Sequence, residues 1–140
     1  MTQPLYQSLG AATQDYLDLA AEAAEGVRLP VAPLILFSKL EDNDPVRPVL
    51  ASFRQFYAQR WGVQPSIYAG YIHDAVQLVI AALRRGRSVK PEDVRNMIEN
   101  SRDLISTSGP VKMFPTDHMG LRIDSFRMAE ISGGTWELLE

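Results

Sequence analysis

The sequence predicts an α/β fold that ends in a β-hairpin. Two long segments with apolar residues at helical spacing begin at Asp44-Pro45 and at Pro65-Ser66. After the turn-rich residues 106–109 the pattern changes to alternation, and the chain is predicted to be extended from Ile123 to Ile131. Ser132-Gly133-Gly134 is typical of a hairpin turn that returns the chain into a last strand.

Composition indicates one ordinary globular domain. The chain has 140 residues, of which 46% are hydrophobic and 22% are charged. Its 14 Lys and Arg residues against 17 Asp and Glu residues give a net charge of -3, so no nucleic-acid partner is expected. The sequence contains no cysteine, which excludes disulfides and thiol nucleophiles.

The first 33 residues are predicted to form a strand, a helix and a second strand. Residues 5–9 form the first strand, and Thr13 is expected to cap a helix that places Tyr16, Leu19, Ala20 and Ala23 on one face. Gly26 suits the left-handed position after that helix. The following segment, 27–29, is extended, and the prolines at 30 and 33 prevent it from being a fully bonded central strand.

Three further helices are predicted between residues 44 and 100. The first ends at Gly62, and its aromatic residues are expected in the core because they recur at helical spacing: Phe53, Phe56, Tyr57 and Trp61. The second, from Ser66 to just before Gly86, is apolar around so much of its circumference that it is predicted to be sandwiched between neighbours. The third begins at Pro91.

Candidate catalytic and metal-binding residues are few. His73 and His118 lack a second ligand at helical spacing, so no metal site is predicted. His73-Asp74 is interpreted as a packed, hydrogen-bonded pair, and the Asp117 carboxylate is expected to accept backbone amides of its own loop. No nucleophile accompanies them, so the chain is predicted to be no enzyme and to need no cofactor.

One segment is a candidate ligand site. Residues 6–10 lie at the carboxyl end of the first predicted strand and precede a helix, which is where open α/β sheets bind ligands. Free backbone amides at such a position favour a carboxylate. A helix-entry loop without a ligand is the equally weighted alternative on geometry alone.

Several blocks of sequence, in order, resemble the type I periplasmic solute-binding proteins of ABC importers, the group that binds branched-chain amino acids and is also called the leucine-binding protein domain. The blocks run almost from end to end. They are residues 23–27 (AAEGV), 53–57 (FRQFY), 61–66 (WGVQPS), 74–76 (DAV), 81–83 (AAL), 94–99 (VRNMIE), 109–121 (GPVKMFPTDHMGL) and 134–138 (GTWEL). One departure is His73, where the family usually has an aromatic residue.

The resemblance implies an incomplete three-layer, Rossmann-like lobe with a C-terminal β-hairpin. Proteins of this family have two lobes, and this chain is similar to their C-terminal part. Residues 1–30 would belong to the second lobe, residues 34–111 would return to the first, and residues 120–140 would form second-lobe strands. Crossings between lobes would fall near residues 30–34 and 114–117. Apolar helix faces would then be exposed, so a homodimer by segment swapping is expected.

The implied function is solute capture by lobe closure, without chemistry. The solute would be an amino acid or a related aromatic or aliphatic carboxylate, delivered to an ABC permease by a periplasmic parent protein. The retained contacts are predicted at Gln7, Ser8, Leu9 and Gly10, with amides and the Ser8 hydroxyl facing the polar group and Leu9 shaping the apolar side.

Two alternatives remain open at this point. Residues 1–4 lack the cationic start and apolar core of a secretory signal, so the chain is expected to be either cytosolic or a piece of a longer protein. A cytosolic ligand-sensing regulator of the same fold would fit the first case. A domain-swapped structural dimer without a ligand is the other alternative.

Overall fold

The computed structural model describes residues 3–139, and this part of the chain forms four α-helices and five β-strands. The helices are α1 (Gln14–Ala20), α2 (Arg47–Trp61), α3 (Ile67–Gly86) and α4 (Pro91–Glu99). The strands are β1 (Arg28–Val31), β2 (Leu104–Ser106), β3 (Gly109–Val111), β4 (Arg127–Ser132) and β5 (Thr135–Leu138). The predicted mixture of helices and strands is confirmed.

The strands form two small antiparallel sheets. One has the order β1-β4-β5, and the other pairs β2 with β3. The predicted C-terminal hairpin is confirmed, with Ile131 opposite Trp136 and a turn at Gly133 and Gly134. Both glycines have positive φ angles, 59° and 70°, which glycine adopts without steric cost. Apart from the parallel bridge at Arg28, β1 pairs only with β4 among the described residues, so Pro30 is accommodated inside it, as expected for an edge strand.

Local capping residues set the helix boundaries. Thr13 accepts a hydrogen bond from the amide of Tyr16 through its hydroxyl group, as predicted, and Ser66 accepts one from the amide of Ala69 in the same way. Gly62 ends α2 in the left-handed conformation, which is also confirmed. The start of α2 is shifted from the prediction, because the Asp44 carboxylate caps the turn before the helix by accepting from the amide of Val46.

The N-terminal prediction is only partly correct. Instead of a strand over residues 5–9, a single parallel bridge joins Tyr6 to Arg28, and residues 9–11 form a short 3-10 turn. The amide of Ala11 donates to the carbonyl of Ser8, which turns the chain away from the sheet after one bridge. The predicted face of α1 is wrong, since Leu17 is buried and Leu19 is 87% exposed.

The buried side chains form two clusters. The first lies around the larger sheet and includes Leu29, Leu36, Ile67, Ile131 and Trp136. The second lies between the N-terminal half of α2 and the turns before it, around Leu34, Val46, Leu50 and Phe53. Because Leu36 and Ile67 belong to the first cluster, the middle of the chain contributes to both.

Several apolar side chains predicted in the core are exposed. Of the aromatic residues of α2, Phe53 is buried, whereas Phe56 and Trp61 are 66% and 57% exposed. The prediction that α3 is sandwiched is wrong for the described residues, because one side of this helix faces solvent. That side, called here the exposed α3 stripe, consists of Tyr68, Ile72, Val76 and Val79. Their spacing of three and four residues places them on one helix face.

Candidate ligand-binding site

The predicted strand-end site lies where the chain leaves its bridge with β1. The amide of Arg28 donates to the carbonyl of Leu5, and the amide of Gln7 donates to the carbonyl of Arg28, both at 2.8 Å. These two bonds are the ladder of the parallel bridge at Tyr6. The chain therefore leaves the sheet after Gln7, directly before the 3-10 turn that begins at Leu9.

Backbone amides at this loop are available to a ligand. The amides of Ser8, Leu9 and Gly10 donate to no acceptor among residues 3–139, and the Ser8 hydroxyl does not cap the turn that follows it. Gln7, Ser8 and Gly10 are exposed, and Leu9 is half-buried against the first core cluster. A small carboxylate placed here would meet uncompensated N–H groups beside an apolar side chain. The loop is an open surface and not an enclosed pocket.

His73 and Asp74 form the predicted polar pair, with Nδ1 of His73 3.4 Å from Oδ1 of Asp74. The His73 ring also stacks against Phe53, with ring centroids 4.5 Å apart. The Asp74 carboxylate accepts from the Thr107 amide, the Thr107 hydroxyl and the Ser108 hydroxyl at 2.8, 2.8 and 3.0 Å. Through these three hydrogen bonds, Asp74 connects α3 to the turn between β2 and β3. His73 packs between Asp74 and Phe53.

Tyr71 lies close to Asp74 and Ser108, and the sequence analysis did not predict a functional role for it. Its hydroxyl is buried and has no hydrogen-bond partner among the described residues. Burial raises the pKa of Tyr71 above its ordinary value of 10.0. A cavity of about 190 Å³ is bordered by Tyr71, Asp74 and Ser108.

The loop at Asp117 is a tight turn. Phe114 and Asp117 exchange backbone hydrogen bonds of 2.9 and 3.1 Å, and the Asp117 carboxylate accepts from the amide of Met119 as predicted. This turn brings His118 to Glu99, with Nε2 3.2 Å from Oε1. Arg95 holds the same Glu99 oxygen at 2.8 Å. The spacing of four residues from Arg95 to Glu99 was a sequence signal for this pair, but nothing local indicated His118.

Metal binding and membrane spanning find no support in the described part of the chain. Residues 3–139 contain no group of three or more His, Asp or Glu side chains that could hold a metal ion. Among the same residues, no helix combines the length and the apolar character that a membrane span requires.

The chain matches solved structures of other proteins. No family model matches the chain, and no curated protein matches it by sequence. An extracellular ligand-binding receptor from Rhodopseudomonas palustris HaA2 is 26% identical, with a TM-score of 0.89, over 99% of this chain and 41% of the receptor. A leucine-binding protein from Thermotoga maritima MSB8 is 20% identical, with a TM-score of 0.76, over 100% of this chain and 37% of its own length.

An ABC transporter substrate-binding protein from Desulfitobacterium hafniense shares the fold at 18% identity and a TM-score of 0.72, over 99% of this chain and 36% of its own. The chain thus spans about two fifths of the length of these structures. Their names describe them as ligand-binding or substrate-binding proteins. The chain has the type I periplasmic binding fold of ABC-importer solute-binding proteins and corresponds to a C-terminal portion of it, as its sequence resemblance predicted.

Proposed function

We propose that this chain is part of the solute-binding component of an ABC importer, located outside the cytoplasm. The observation that carries the proposal is the match to an extracellular ligand-binding receptor over 99% of the chain at a TM-score of 0.89. The parent protein would capture its solute by closing two lobes and deliver it to a permease. The solute class is an amino acid or a small aromatic or aliphatic carboxylate.

The ligand contacts on this chain are assigned to Gln7, Ser8, Leu9 and Gly10. Within residues 3–139, three neighbouring amides have no acceptor and the Ser8 hydroxyl does not cap the turn that follows, and both observations support this assignment. A carboxylate accepts such donors strongly because the hydrogen bonds are charge-assisted. The Leu9 side chain packs partly against the first core cluster, and its remaining exposed surface would contact the apolar part of the solute.

The proposed division between lobes follows the chain. Residues 1–30 and 120–140 are assigned to the second lobe and residues 34–111 to the first. The sheet that joins β1 to β4 and β5 supports the first part of this division. The contribution of Leu36 and Ile67 to the same core indicates that the two assigned parts share a packed boundary.

A thermal-shift screen of amino acids and aromatic carboxylates tests the proposal. One solute class should raise the melting temperature in a concentration-dependent way, because a ligand that binds only the folded state stabilises it. Ser8→Ala should reduce that shift, and Ser52→Ala, an exposed serine on α2, should leave it unchanged. A shift that survives Ser8→Ala together with Gly10→Pro, which removes one of the free amides, would contradict the assigned contacts. No shift with any solute class would contradict binding by this chain.

A second candidate is supported by the exposed α3 stripe. Its members Tyr68, Ile72 and Val76 are at least half exposed, at 54%, 68% and 50%. A contiguous apolar helix face of this kind is typical of an interaction surface. The corresponding proposal is that the isolated chain forms a homodimer, by segment swapping or by direct contact of these stripes.

A further inference from the structure

A polar cavity of about 390 Å³ lies where four segments of the chain meet, and its lining includes none of residues 7–10, which are called here the strand-end loop. These segments are the turn at Pro33, the residues before α2 around Asp44, residues 109–112, which contain β3, and residues 122–127. The last two approach very closely. A Cβ on Gly109 would lie 2.7 Å from the Ser125 hydroxyl oxygen, so only glycine fits there.

The cavity is lined by donor groups that residues 3–139 leave wholly or partly unpaired. Lys112 forms no ion pair or side-chain hydrogen bond among residues 3–139, and neither does the hydroxyl of Ser125. Ser125 is nevertheless buried, at 5% exposure, and it lines the cavity. The hydroxyl can therefore reach a hydrogen-bond acceptor placed in the cavity. Among the described residues, Arg122 donates from its Nε to Asp124 at 3.1 Å and makes no hydrogen bond through the two terminal amino groups of its guanidinium.

Each carboxylate in the lining is paired with an arginine of the same lining. Asp44 accepts from the amide of Val46 and lies 3.4 Å from Nη2 of Arg127. Asp124 is engaged by Arg122. The lining therefore has three cationic and two acidic side chains, an excess of one positive charge in a chain whose net charge is -3. Free donors and a local excess of positive charge favour an anion.

We propose that this cavity binds a small oxyanion, with Lys112, Arg122 and the Ser125 hydroxyl as its donors. Phosphate and small carboxylates share the required chemistry, because each offers several oxygen acceptors to a guanidinium and an ammonium group. The site is distinct from the strand-end loop and would hold the end of β3 to the segment before β4. Bound anion would thereby tie together two parts of the chain assigned above to different lobes.

The test is a titration of the 15N-labelled chain with sodium phosphate, and separately with sodium acetate, at an ionic strength held constant with sodium chloride. Saturable shifts of the Lys112 and Ser125 amides are expected, with half-saturation on the order of millimolar because the donors are partly solvated. Saturation by phosphate alone identifies a phosphate-type ligand, and saturation by acetate identifies a carboxylate. Saturation by neither would overturn the proposal.

Variants separate a defined site from general charge effects. Lys112→Gln and Arg122→Gln should each weaken the affinity by about threefold, and the double variant by about tenfold. Lys90→Gln removes the same charge from an exposed position outside the cavity and should leave the affinity unchanged. Ser8→Ala should also have no effect, which distinguishes this cavity from the strand-end loop. Equal weakening by Lys90→Gln, or full affinity in the double variant, would overturn the proposal.

Discussion

Asp74 and Thr107 form the most extensively bonded contact between α3 and the strands that follow it. One carboxylate oxygen accepts from the Thr107 amide and the other from the Thr107 hydroxyl, each at 2.8 Å, although the two residues are 33 positions apart. The Asp74 side chain is only 14% exposed. Its hydrogen bonds therefore form largely out of water, where an unpaired donor is costly.

Replacement of Asp74 by Ala should lower the free energy of unfolding by about 2–4 kcal/mol, because it leaves the Thr107 amide and two hydroxyl groups without their acceptor. Asp74→Asn should cost less, since the amide oxygen retains one acceptor. Urea unfolding followed by circular dichroism measures both. Asp103→Asn is the control, because that carboxylate is 85% exposed. Equal losses for Asp74→Ala and Asp103→Asn would show that the Thr107 contact contributes nothing.

Gly70 lies against the same turn, and its lack of a side chain is required there. A Cβ would lie 2.8 Å from the Thr107 hydroxyl oxygen and 3.1 Å from Cδ2 of Leu34. In an exposed helix, Gly→Ala stabilises by about 1 kcal/mol, but overpacking costs about 1–3 kcal/mol. Gly70→Ala should therefore lower stability by about 1 kcal/mol in the same urea experiment. An increase in stability would mean that Leu34 moves aside without cost.

Local signals predicted much of the fold. Thr13, Ser66 and Gly62 act through bonds or backbone angles within a few residues, so the helix ends they set could be identified from sequence. The face of α1 was predicted incorrectly because the helix stops at Ala20, where Ala21 has a φ angle of 45°. The helical period that linked Tyr16 to Ala23 does not continue through that break.

Contacts between distant segments could not be predicted in the same way. The apolar pattern of α3 predicts that several faces of this helix are buried against other segments. It does not predict whether those segments belong to the described residues. The matched structures are more than twice as long as this chain, and the exposed α3 stripe is a face that residues 3–139 leave uncovered. His118 beside Glu99 and the cavity at Lys112 likewise depend on chain folding over long separations. The strand-end loop at Gln7–Gly10 stays a prediction.

Ala21 carries backbone strain that glycine would relieve. Its φ and ψ angles of 45° and -126° lie in a region that residues with a Cβ rarely adopt. Ala21→Gly should raise the free energy of unfolding by about 1 kcal/mol. Ala23→Gly is the matched control, since Ala23 is also exposed and has no positive φ, so the same change there should destabilise by about 0.5–1 kcal/mol. Chemical denaturation of both variants measures the contrast, and a loss of stability in Ala21→Gly would refute it.

Glu99 should contribute to the acid sensitivity of the chain. The hydrogen bond from Arg95 lowers the pKa of Glu99 below its ordinary value of 4.5, against an opposing effect of burial and with help from His118. Because the folded-state pKa is depressed, the contribution is complete above about 4.5 and is lost as the pH falls through the folded value. Glu99→Gln should therefore flatten the fall of melting temperature with acidification. The control is Glu92→Gln, an exposed carboxylate on the same helix, which should keep the slope of the parent chain. An unchanged slope in Glu99→Gln would contradict this role.

Ile72 is the most exposed member of the exposed α3 stripe, at 68%, and provides the sharpest test of homodimer formation. Sedimentation velocity should show association of the parent chain as its concentration rises, because burying the stripe removes apolar surface from water. Ile72→Glu should shift the equilibrium to monomer, since a carboxylate inside such an interface is costly to desolvate. Its effect on folding should be small, because the side chain is mostly solvated already. Asn96→Glu adds the same charge at an exposed position on α4 and should leave association intact. A parent chain that stays monomeric at high micromolar concentration would exclude the homodimer, and association that persists in Ile72→Glu would place the contact on another surface.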